Sequence, residues 1–167
     1  RVSLEYRVAG SNAIFAKEKL YDMRIGVSPV LLTLSSVEEN QAGEEIVFTL
    51  DVASNVGSVL EDLALVAEYP FGFAFVSAEP APALESVLWK LGDLPPEGKR
   101  RIRIVGTLDG EDDTEHIFRF VVGVRGSRSS TDIATPLVSA ARTIVVRKPF
   151  LGFQIAVDGR SGALRAV

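Results

Sequence analysis

A chain of 167 residues with no cysteine, one histidine and one methionine has no disulfide framework and no thiolate chemistry, and offers little for a transition-metal site. Its formal charge of −4 argues against a nucleic-acid binder, which presents a basic face, and no apolar run is long enough for direct membrane insertion. Abundant Val, Ile, Leu and Phe punctuated by 14 Gly and 8 Pro is the composition of β structure.

In chain order, Leu4, Tyr6 and Val8 alternate with polar residues, then a Gly10-Ser11-Asn12 loop leads to a strand ending near Val27. That pattern predicts a hairpin over 1–28. After Pro29-Val30-Leu31, the clearest strand places Ile46, Phe48, Leu50 and Val52 on one face and Val47, Thr49, Asp51 and Ala53 on the other. Ser54 to Ser58 reads as a turn. Leu63, Leu65 and Ala67 form one face of the next strand, which runs to Tyr69-Pro70.

Phe71, Phe73 and Phe75 alternate with Gly72, Ala74 and Val76, which predicts three rings on one face. Glu79-Pro80-Ala81-Pro82 is excluded from a central strand because proline lacks the ladder donor. Val87, Trp89 and Leu91 predict a short strand ended by a turn from Gly92 to Gly98. Ile102 and Ile104 alternate with Arg101 and Arg103 on the way to Leu108, and Phe118, Phe120, Val122 and Val124 give another strand. Ser127 to Pro136 reads as a polar loop, and Thr143 to Val146 completes the unit. Seven or eight strands about ten residues apart, with no amphipathic helix, predict an all-β fold: an antiparallel β-sandwich.

The two ends echo each other. Val8-Ala9-Gly10-Ser11 precedes Pro29-Val30-Leu31, and Val124-Arg125-Gly126-Ser127 precedes Pro149-Phe150-Leu151 at nearly the same interval. The offset is about 120 residues, one small domain and far longer than a solenoid unit. The chain therefore reads as a window on a tandem array. Residues 1–28 are the C-terminal hairpin of a preceding repeat, 29–148 a complete sandwich, and 149–167 the first strand and turn of a following repeat.

Asn55-x-Gly57, the Leu63-Ala64-Leu65 strand, Tyr69-Pro70-Phe71-Gly72-Phe73, Trp89-x-Leu91-Gly92-x-Leu94, Gly98 and Ile102-x-Ile104-x-Gly106 occur in this order. This series resembles the immunoglobulin-like conserved-repeat domains of large bacterial surface proteins, over about residues 29–148. The resemblance implies an extracytoplasmic, structural or adhesive role and carries no catalytic residues. Where members of that family often have a plain Pro-x-Gly, this chain has Pro70-Phe71-Gly72-Phe73.

Each candidate site has a structural rival. Asp109, Glu111, Asp112 and Asp113 offer oxygen ligands of the kind Ca²⁺ takes. They lack EF-hand spacing, and a charged hairpin tip is the ordinary reading. Lys99-Arg100-Arg101-x-Arg103 alternates with Ile102 and Ile104, which makes it the solvated face of a strand. His116 has carboxylates nearby but no well-placed nucleophile, and adjacent Glu115 points to the opposite face. Trp89 with the Phe71–Phe75 rings fits a core better than a sugar platform. A Lys–Asn isopeptide staple is disfavoured, because Asn12, Asn40 and Asn55 fall in turn sequences and Lys90 alternates away from Trp89.

The sequence thus points to a non-catalytic module with a core built on Phe48, Phe73, Trp89, Ile104 and Phe120, without cofactor or metal. Its expected setting is extracellular, on a bacterial cell surface, beside neighbouring repeats of the same protein. Self-association through terminal strands is a further expectation, since exposed edges pair readily. The alternative is an adhesin-like or carbohydrate-binding module using the 77–86 and 127–137 loops.

Overall fold

The computed structural model describes residues 27–126 and 133–148 with their side chains, and four terminal strands by their backbone pairing alone. Those four are β1 (Val2–Arg7), β2 (Ile14–Lys19), β12 (Gln154–Val157) and β13 (Arg160–Ala163). They form two separate antiparallel pairs, β1 with β2 and β12 with β13. Between them lie β3 (Val30–Ser35), β4 (Glu39–Gln41), β5 (Glu45–Ser54), β6 (Leu60–Glu68), β7 (Phe73–Glu79), β8 (Leu88–Leu94), β9 (Lys99–Leu108), β10 (Thr114–Arg125) and β11 (Ile133–Arg147). No helix occurs among the described residues.

The nine central strands form two sheets, in the orders β3-β5-β9-β7 and β4-β11-β10-β6-β8. Period-two alternation explains why they face each other. Ile46, Phe48, Leu50 and Val52 of β5, Ile102 and Ile104 of β9, and Phe118, Phe120 and Val122 of β10 are all buried. The Phe48 ring lies 4.6 Å from that of Phe118 and 5.6 Å from that of Phe120, centroid to centroid. Phe73 meets Phe118 edge-on at 5.1 Å. Such contacts add to the roughly 1.5–3 kcal/mol that burying each large apolar side chain contributes. Every named core side chain is apolar, and no charged or polar residue belongs to the core among the described residues.

Local chemistry moves several elements away from their sequence reading. Phe71 lies in the turn before β7 and is 99% exposed, so only Phe73 and Phe75 share the inward face. The turn takes this shape because Gly72 has φ +89° and packs on Asp109, whose N–H donates to the Gly72 carbonyl at 3.0 Å. β8 runs on to Leu94, past Gly92, which marks a register shift against β6. The tight turn is Pro95-Pro96-Glu97-Gly98.

β11 is much longer than Thr143–Val146 and includes Pro136, which the sequence assigns to a loop. Pro136 sits opposite Gly123 at another register shift, and a Cβ at Gly123 would meet the Thr135 carbonyl at 2.3 Å. A bulge beside a glycine is where a strand tolerates proline. Asn40, read from sequence as a turn residue, lies in β4. This short strand has no apolar alternation and pairs with β11 in parallel.

The register fixes the direction of every strand. Val30 lies opposite Ser54, and Ser54 N–H donates to the Gly98 carbonyl, so the chain enters the sandwich at the pole carrying the 54–58 and 95–98 turns. β11 starts at this same pole, where Ile133 pairs with Arg125, and ends at the other, where Val146 pairs with Thr114. The exit pole carries the 42–44, 70–72 and 109–113 turns. Entry and exit lie at opposite ends of the long axis.

Candidate interaction sites at the two poles

At the entry pole, the turn after β5 holds the incoming chain. Asn55 N–H donates to the Pro29 carbonyl at 2.9 Å, and its side-chain Nδ2 donates to the Ser28 carbonyl at 3.1 Å. Ser28 Oγ lies 2.7 Å from the Val30 carbonyl and 3.2 Å from the Leu137 carbonyl, joining the start of β3 to β11. Arg125, whose side chain is 8% exposed, pairs with Asp62, and Asp62 N–H donates to Asp93 Oδ1 at 3.0 Å. That pair ties β10 to β6 at the same pole.

At the exit pole the acidic hairpin does the corresponding work. Asp113 N–H donates to the Val146 carbonyl at 2.8 Å, and Asp112 Oδ1 accepts from Lys148 N–H at 2.8 Å. Arg147 bonds Asp113 and also Glu39, at 2.9 Å. The hydrogen bond to Glu39, its charge, and then Asp113 push the Arg147 pKa up from an already high value, so the guanidinium stays charged. Asp109 turns back to its neighbour, Oδ1 accepting from Gly110 N–H, and Glu111 uses its backbone carbonyl to accept from Thr114 Oγ1 at 2.6 Å. The carboxylates of Asp109, Asp112 and Asp113, three of the four residues weighed as calcium ligands, therefore point to separate partners. No three metal-ligating side chains converge among the described residues.

The remaining candidates fall as follows. Phe48, Trp89, Ile104 and Phe120 are buried, and Phe73 is partly buried against them. His116 Nε2 lies 3.0 Å from Thr114 Oγ1. Arg101 makes a two-pronged contact with Asp51 on an exposed sheet face. Asn40 Nδ2 donates to the carbonyls of Gln41 and Glu44, and Lys90 is exposed.

In the first of the two loops that the alternative, ligand-binding reading would use, residues 77–79 belong to β7. The segment that follows is tied down by two aromatic donors. Trp89 Nε1 donates to the Pro80 carbonyl and Tyr69 Oη to the Ser86 carbonyl, both at 2.9 Å. Burial pushes the Tyr69 phenol well above its ordinary pKa. In the second loop, 127–132 lies outside the described residues and 133–137 belongs to β11.

Sequence reasoning missed Glu38, Glu39, Arg142 and Arg147. Glu38 pairs with Arg142 at 3.1 Å and Glu39 with Arg147, across more than 100 residues of chain. Opposite charges at such a separation carry no local signal. A shallow groove of about 460 Å³ runs beside them along Ala141, Arg142 and Thr143.

No family model and no curated protein matches the sequence. Solved structures resemble it in shape. AvmM, which catalyses macrocyclization in alchivemycin A biosynthesis, aligns with a TM-score of 0.53 at 12% identity, over 74% of this chain and 91% of its own. A cohesin module from a Clostridium perfringens family 33 glycoside hydrolase gives 0.49 at 12% identity, over 74% and 100%. The CARDB domain of a Pyrococcus furiosus protein gives 0.47 at 8%, over 71% and 94%. The fold is an immunoglobulin-like β-sandwich. At these identities the likeness extends to the fold alone.

Proposed function

We propose that this chain is a non-catalytic spacer module of a tandem-repeat protein displayed on a bacterial cell surface. The observation that carries this reading is the placement of entry and exit at opposite poles, each fixed by backbone hydrogen bonds from a neighbouring turn. A module held in this way sets a distance. β11, at 15 residues, spans about 50 Å at the usual rise per residue. Repeated end to end along that axis, such modules hold whatever lies beyond them away from the surface.

The echo between the ends of the sequence supports an array, with 29–148 as its unit. The disulfide-free core and the pinned 80–87 segment support a mechanical role over a loop-based binding role. X-ray scattering of two and three copies joined in tandem tests the reading. A rod whose length grows by a fixed increment per copy is expected, and a compact profile would overturn it. An array of glycans and host proteins tests the adhesin alternative, which predicts selective binding to one class.

A further inference from the structure

Phe71 is the most exposed large apolar side chain among the described residues, at 99%. A ring left wholly in water forgoes the stabilisation that Phe73, two residues on, obtains by packing against the core. The turn that carries it is rigid. Phe73 N–H donates to the Pro70 carbonyl at 3.3 Å, and Gly72 takes the positive φ that the third position of a type II turn requires. Asp109 N–H donates to the Gly72 carbonyl at 3.0 Å, and a Cβ at Gly72 would collide with the Asp109 carbonyl. The turn is therefore fixed against the acidic hairpin and presents its ring, preorganised, at the exit pole.

The same hairpin holds the outgoing chain. Asp109 grips the Phe71 turn, and Asp112, three residues on, accepts from Lys148 N–H at 2.8 Å. Those three residues are at most about 11 Å of chain. The sequence after Lys148 is Pro149-Phe150-Leu151-Gly152-Phe153, with three large apolar residues ahead of the polar Gln154 that opens β12. Five extended residues reach about 17 Å, enough to come back over the ring.

We propose that Phe71 is the seat of this outgoing segment, with Phe150, Leu151 and Phe153 closing over its ring. An aromatic ring on a rigid turn is the kind of anchor around which a contact is centred. Its occupant is an apolar stretch that the backbone delivers to the same pole, within reach. The contact fixes the direction in which the chain leaves the sandwich. It goes beyond the spacer reading and lies within one chain, so it does not depend on an array. Scattering of tandem copies tests the array, and amide exchange tests the contact.

The experiment follows hydrogen exchange in the full chain, in fragments covering 148–157. Phe71→Ser is expected to leave the denaturation midpoint unchanged, because the ring lies outside the core, and to quicken exchange in this stretch about tenfold. Phe71→Leu keeps an apolar side chain on the same turn and is expected to keep most of the protection. Phe150→Ser combined with Phe153→Ser is expected to act as Phe71→Ser does, and adding Phe71→Ser to that pair to do no more, the mark of one shared contact. Exchange over 148–157 equally fast in the unaltered chain and in Phe71→Ser would overturn the proposal. So would protection that appears only as chain concentration rises, which would assign the ring to a second copy.

Discussion

The two lateral edges of the sandwich are built from different chemistry. One edge, made of β3, β4 and β11, is joined by backbone hydrogen bonds and by guanidinium–carboxylate pairs that stand largely in water. The other, made of β7 and β8, is joined by aromatic packing and by two aromatic donors that reach the carbonyls of Pro80 and Ser86. Exposed ion pairs add little to equilibrium stability, while buried rings add a great deal. The comparison teaches that the two edges of one small fold can be closed by different chemistry, and that the aromatic edge carries more of the equilibrium stability than the ionic one.

The contrast can be broken most forcefully at Trp89. Trp89→Ala removes a fully buried indole and is expected to cost about 3–5 kcal/mol, measured by chemical denaturation. Gly106→Ala comes next, on β9 where it faces β7. The new Cβ would lie 2.2 Å from the Phe73 ring and 2.7 Å from the Ala74 carbonyl, for an expected loss of about 1–3 kcal/mol.

Tyr69→Phe strips the donor from Ser86 and is expected to cost about 1 kcal/mol, with faster proteolytic cutting in the 80–87 segment. The same variant carries a pH signature. Folding holds the Tyr69 phenol neutral above the pH, about 10, at which an unfolded phenol ionises. Above that pH the unfolded chain has released a proton that the folded chain keeps, so stability falls as pH rises, and below it this group adds no slope. Tyr69→Phe is expected to lessen the alkaline loss seen in denaturation at stepped pH.

On the opposite edge, Glu38→Gln is expected to cost under about 1 kcal/mol at equilibrium, since the Glu38 side chain is 82% exposed. A loss there equal to that of Gly106→Ala would erase the distinction between the edges.

Much of the sandwich was legible because its inward faces obey a strict period of two. Ile46 to Val52 and Phe118 to Val122 need only the alternation of Cβ directions to be placed. Legibility fails where periodicity is broken for a local reason. Phe71 keeps the alternating position of its neighbours, but the positive φ of Gly72 turns the chain before the ladder starts and leaves the ring outside. Pro136 looks like a loop residue until Gly123 on the facing strand makes room for it. β4 has no apolar residue to announce it, and its existence depends on a partner more than 100 residues away.

The pole contacts were half legible. Asn55 and the 109–115 run stood out as turn chemistry, but their partners, the Ser28 carbonyl and the Lys148 N–H, are backbone groups that no side-chain pattern reveals. The acidic run drew attention for its charge. Its function in the fold comes from where each carboxylate points.

Trp89 is the only tryptophan of the chain, and its indole is buried with its N–H bonded to Pro80. The molecule therefore carries a single selectively excitable fluorophore, on the edge farthest from β4 and β11. Its emission sits to the blue while the ring is dry and moves to the red when β8 opens. Emission that holds its colour while another probe of the fold changes reports a rearrangement that leaves the β8 edge dry.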